Sequence, residues 1–83
     1  MKYIATFYSH FGAMRFKKEP PQGVHNVVLM PVPRDLSTSC GTSAVFEADC
    51  GFTFSNDPQG EIDQIVKVLG CGYEVVYDSN FLR

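Results

Sequence analysis

Two prolines separated by a single residue, Pro31-Val32-Pro33, set the first limit on how this chain folds. Proline fixes φ and has no backbone N–H, so the stretch continues neither a helix nor an interior strand. Arg34, Asp35 and Leu36 follow, then the hydroxyl-rich run Ser37-Thr38-Ser39-Cys40-Gly41-Thr42. Residues 31–42 are therefore expected to form a loop, with room for one helical turn around 35–39. Irregular connections of about a dozen residues are uncommon inside compact domains and often serve a function. With 83 residues in all, the chain is expected to be one domain spanning 1–83. A domain of that size buries roughly 60–65% of the surface its unfolded chain exposes, so its core has little margin.

The segments on either side carry recognisable patterns. Residues 3–8, Tyr-Ile-Ala-Thr-Phe-Tyr, are β-branched and aromatic and predict a strand. Ser9 caps a helix running from about His10 to Lys18. On that helix Phe11, Met14 and the stem of Lys18 share a face, with Ala13 and Phe16 beside it. Gly12 costs up to ~1 kcal/mol in a helix relative to Ala, which suggests a close crossing over the sheet. Pro20, Pro21 and Gly23 end the helix, and residues 24–30 predict a second strand. Residues 43–48 predict a third. Asp57-Pro58 is a helix-start pair, and Ile62, Ile65, Val66 and Leu69 fall at helical spacing, so a second helix is expected up to Leu69. Gly70 would close it in a left-handed cap. Residues 73–77 predict the last strand. This order, βαββαβ, is that of a two-layer ferredoxin-like α/β (α+β) sandwich. In it a four-stranded antiparallel sheet carries both helices on one face.

Composition narrows the functional classes. Hydrophobic residues make up 45% and charged residues 19%, which fits a globular chain. A net charge of −2 argues against nucleic acid as a partner. The local cluster Arg15, Lys17 and Lys18 is read as cations at a helix C-terminus, where the macrodipole favours them. No segment is apolar for long enough to span a membrane, and the first residues show no secretory pattern. Three cysteines without export signals point to free thiols in a reducing, cytoplasmic setting.

Those thiols are not equivalent. Cys40, Cys50 and Cys71 are each followed by glycine, and their spacings match no standard zinc or iron–sulfur pattern, so no metal and no cofactor is expected. Cys71 is expected to be buried and inert, and Cys50, after Asp49, to be structural. Cys40 is the candidate nucleophile. Its reactive form needs hydrogen-bond donors or positive charge, which Ser37, Ser39, the Gly41 amide and Arg34 are placed to supply. A Ser/Thr-rich turn that merely includes a cysteine would read the same way. His10, at the carboxyl end of the first strand, is a second candidate, because that end of a βα unit is a common ligand position. No Ser/His/Asp or Cys/His triad is apparent locally.

The stretch from Leu29 to Gly41, with its Met30-Pro31-Val32-Pro33-Arg34 and Ser37-Thr38-Ser39-Cys40-Gly41 blocks, resembles the signature of the Se/S carrier protein-like family of small bacterial domains. Tyr3-Ile4-Ala5-Thr6-Phe7-Tyr8-Ser9 is similar to that family's first strand and the serine that follows it. The resemblance spans most of the chain. It departs from the pattern in the first helix, where Gly12, Arg15, Phe16 and Lys17 stand in place of a segment richer in Ala and Glu. It implies a sulfur or selenium carrier. Cys40 would hold a persulfide-type group, Arg34 would steady the anion, and donor and acceptor proteins would be the partners. Two other readings stay open: a non-catalytic ligand- or protein-binding regulatory module, and a metal-binding domain with His10 or His25 among its ligands. A homodimer is open in either case.

Overall fold

The computed structural model describes residues 1–34, 36, 40–54 and 60–79. Strand β1 (Lys2–Phe7) leads into helix α1 (His10–Lys18), followed by β2 (His25–Pro31), β3 (Thr42–Glu47), β4 (Ile62–Leu69) and β5 (Gly72–Asp78). The strands form one sheet in the order β2-β3-β1-β4-β5, and every neighbouring pair is antiparallel. Because β3 runs against both β1 and β2, the last two are parallel to each other. They are joined by α1, a split strand–helix–strand unit.

The predicted four-stranded, two-helix ferredoxin-like sandwich is not what the chain builds. The sheet has five strands, and the described residues contain one helix. Residues 62–69, expected as the end of a second helix, are β4, and the Asp57-Pro58 pair lies outside the described residues. The reason lies in the burial of β4. It sits between β1 and β5, with Ile62 and Ile65 buried on one face and Val66 buried on the other. Ile65 and Val66 alternate as strand neighbours do, and the register shift opposite Thr6 and Phe7, which passes over Asp63, brings Ile62 onto the face of Ile65. A strand buried on both faces and interrupted by a bulge loses its period of two, so its apolar residues imitate helical spacing. Gly70 caps nothing. It opens the two-residue turn to β5, and Leu69 pairs directly with Gly72.

The helix side of the sheet holds the core. Tyr3, Ala5 and Phe7 of β1 alternate inward with Ala44 and Phe46 of β3, and Ala13 and Phe16 of α1 close over them. The place expected for a second helix is filled by aromatic rings. Tyr3 stacks on Phe46 at 5.4 Å, and Phe52 meets both rings edge-on at 5.2 and 5.7 Å. Phe54 stands at 5.0 Å from Tyr77, nearly perpendicular to it. The Tyr3 hydroxyl donates to the Asp49 carbonyl at 2.6 Å, which pins this segment to β1. On the other face the register sets Val28, Val45, Ile4, Val66 and Val75 side by side across all five strands. Its centre is buried, and its two ends, Val28 and Val75, are exposed.

Helix α1 also differs from its expected orientation. Ser9 is the N-cap, its side chain accepting the Gly12 N–H at 3.2 Å, and Arg15, Lys17 and Lys18 do occupy the last turn. The buried face, however, is Gly12, Ala13 and Phe16. Phe11 and Met14 stand outside it, 62% and 52% exposed.

Candidate functional site

The proline segment ends β2, and the chain returns as β3 after a loop whose base is tightly fastened. Pro31 pairs with Thr42, and the Val32 N–H donates to the Gly41 carbonyl at 3.1 Å. Inside the loop the Leu36 N–H donates to the Pro33 carbonyl at 3.1 Å, while the rest of the helical turn expected around 35–39 lies outside the described residues. Gly41 has φ +75, a left-handed conformation that an L side chain rarely adopts, and it turns the chain from Cys40 into β3. Two residues further on, the buried Ser43 hydroxyl donates to the Met30 carbonyl at 3.1 Å, locking the two strands together beneath the loop.

Cys40 therefore sits at the foot of this loop. Its side chain is half-buried and packs against the core cluster, and its thiol donates to the Thr42 carbonyl at 3.5 Å. Thr42 has a second contact. Its Oγ1 lies 3.1 Å from His10 Nδ1, in the first turn of α1. A single residue thus links the loop thiol to the helix-borne imidazole, one through its backbone and the other through its side chain. Thr42 was readable only as part of the hydroxyl run. Its role follows from being the first residue of β3, facing the start of α1.

The other expected site residues separate into two groups. Gly41 directly follows Cys40, and its carbonyl accepts the Val32 N–H. Arg34 is exposed, and among the described residues no hydrogen bond or ion pair joins it to Cys40. Ser37 and Ser39 lie outside the described residues. The remaining thiols correct the reading made of them. Cys71, expected to be buried, is exposed in the β4–β5 turn, and Cys50, expected to be structural, is exposed as well. Hairpin turns place their central residues in water, and once Gly70 is a turn residue rather than a helix cap, Cys71 has nothing to pack against. Among the described residues no three His, Cys, Asp or Glu side chains gather closely enough to hold a metal ion. No helix among them is long and apolar enough to cross a membrane.

The described residues define a five-stranded sheet with one helix, in which Cys40, at the base of the β2–β3 loop, is bonded to Thr42, the residue that contacts His10 at the start of α1. The family model described as "Putative Se/S carrier protein-like" matches residues 2–77, and the chain belongs to that family. No curated protein and no solved structure matches it.

Proposed function

We propose that the protein carries sulfur or selenium on Cys40, receiving it from a donor protein and handing it to an acceptor. The observation that carries this reading is the position of Cys40. Of the three thiols it alone is held by the fold, at a loop base shared with His10, while its side chain still reaches the surface in part. Family membership supplies the cargo class.

Loading is a sulfur transfer. The Cys40 thiolate attacks the outer sulfur of a donor persulfide, forming a new S–S bond as the donor's own S–S bond breaks. The donor leaves as a thiolate, the outer sulfur keeps its hydrogen, and no external oxidant is consumed. Unloading is the same exchange with an acceptor thiolate. In the resting arrangement the thiol proton points at a carbonyl, which can accept it but gives nothing to an anion. The sulfur must therefore turn away from the Thr42 carbonyl to react. His10, fixed by Thr42 beside this point, is the nearby group suited to take and return a proton.

A second reading is favoured by one observation. A half-buried thiol bonded to a backbone carbonyl and packed on the core is also what a structural cysteine in a binding module looks like. Loading with a low-molecular-weight persulfide, followed by intact mass spectrometry, separates the two. The carrier reading expects Cys40→Ser to lose a stable adduct that Cys50→Ser and Cys71→Ser keep. Equal adducts on all three variants would leave the binding module standing.

A further inference from the structure

The outward turn of Phe11 and Met14 leaves a feature that the thiol chemistry does not use. Between α1 and the edge strand β2 runs an open groove of about 540 Å³, floored by Phe11, Met14 and Leu29. Lys17 and Lys18 line it, and neither has an acidic partner among the described residues. Arg15 also lines it, lying over the Phe11 ring at 5.2 Å and pairing with Glu61 at 3.1 Å. Glu19 is the groove's one acidic lining residue, beside Lys18 at the end of the helix.

We infer that this groove docks an acidic amphipathic helix of a partner protein, apolar toward Phe11, Met14 and Leu29 and acidic toward Lys17 and Lys18. Three observations select that occupant. Three of the chain's seven Lys and Arg line this apolar trough, and Lys17 and Lys18 among them leave it complementary to an acidic, apolar-faced segment. A small ligand fits poorly, since such sites bury roughly 70–90% of their ligand and this groove leaves Phe11 mostly in water. An added strand fits poorly too. The β2 edge is interrupted by a register shift between His25 and Val28, where Asn26 has φ +56, and it ends at Pro31. Bulges and prolines of this kind block strand addition. A helix laid into the groove uses side chains alone.

A chain of contacts connects the groove's Phe11 end to the thiol. Phe11 follows His10, which contacts Thr42, to which Cys40 is bonded. On the carrier reading, from which the partner's identity follows, the bound helix belongs to the donor or acceptor whose sulfur meets Cys40.

The test is an NMR titration of the isotopically labelled full chain, carrying Cys40→Ser, with a synthetic amphipathic peptide of leucine and glutamate. A leucine–lysine peptide is the control. The expected result is saturable shifts confined to the amides around Phe11, Met14, Lys18 and Leu29. A Met14→Glu, Lys18→Glu double variant, altering two exposed side chains, should weaken binding by about tenfold or more. Equal binding of the lysine peptide, or shifts centred on the Val28–Val75 face, would overturn the proposal. So would concentration-dependent shifts at the groove without peptide, which would make the occupant a second copy of the chain. Binding to anionic phosphatidylserine vesicles in place of the peptide would overturn it as well. Because the titration uses a thiol-free site, its failure leaves persulfide loading of Cys40 untouched, and failed loading leaves the groove's affinity for the peptide untouched.

Discussion

A methyl group placed on Gly12 would stand 2.9 Å from Glu61 Cβ. The helix therefore passes over the residue just before β4 at a distance only glycine permits. The same pair of segments is tied by the Tyr8 N–H donating to the Glu61 carbonyl at 3.0 Å and by the Arg15–Glu61 ion pair. Gly12→Ala should thus lower stability by about 1–3 kcal/mol, even though alanine is the better helix former. Thermal unfolding of Gly12→Ala, of Glu61→Gly and of the double variant checks this. The double variant should be more stable than the sum of the two single losses implies, since removing the Glu61 Cβ makes room for the methyl.

Gly41 poses a different backbone demand. At φ +75 an alanine costs about 1–2 kcal/mol, although space for its side chain is open. The expected outcome for Gly41→Ala is a modest fall in melting temperature, together with a change in Cys40 reactivity because the turn that aims the thiol is strained. A variant with unchanged stability and unchanged alkylation rate would contradict this account of the loop base.

Thiol accessibility divides the cysteines. Limiting iodoacetamide should label Cys50 and Cys71 first and Cys40 later, and all three should react alike in denaturant. Peptide mapping of a time course reads the order. Cys40 labelled as quickly as the exposed pair would refute its placement against the core.

Thr42→Val keeps the backbone carbonyl that receives the Cys40 thiol but removes the Oγ1 that holds His10. An exposed hydrogen bond of this kind contributes about 0.5–1 kcal/mol, so the fold should persist. If His10 moves the proton during loading, Thr42→Val and His10→Ala should slow persulfide transfer to a similar extent, with no further loss on combining them. Stopped-flow or quenched time courses measure the rates. Additive losses would mean that the two residues act separately.

Tyr3→Phe tests the aromatic layer that stands where a second helix was expected. It leaves the stacking on Phe46 and the edge-on contact with Phe52 and deletes only the hydroxyl bond to Asp49. The cost should be about 1 kcal/mol. Hydrogen exchange should rise chiefly at the Phe52 amide, which closes the turn on the Asp49 carbonyl.

Much of this architecture is legible in the residues. The aromatic and β-branched run at the start, the Ser9 cap, the breaks at Pro20-Pro21 and Pro31-Val32-Pro33, and the strands after them all stand near their expected places. The boundary between β4 and a helix is not legible. Ile62, Ile65, Val66 and Leu69 satisfy helical spacing because this inner strand must be apolar on both faces and carries a bulge, which removes the alternation that marks a half-buried strand. For the site, the loop and Cys40 are visible as composition. The contact between His10 and Thr42 is a long-range consequence of α1 crossing β3, and no local pattern encodes it. The exposure of Cys71 was hidden for the same reason as β4, since misreading the element misplaced its turn.

The hydrogen bond between Val32 and Gly41 has an effect beyond holding the strands. That bond closes just inside the Pro31–Thr42 pair, so the register of β2 against β3 is fixed outside the loop. A change in the length of the connection between Arg34 and Cys40 would therefore leave the sheet underneath in step. The framework of the domain is thereby insulated from the stretch of chain that leads up to its thiol.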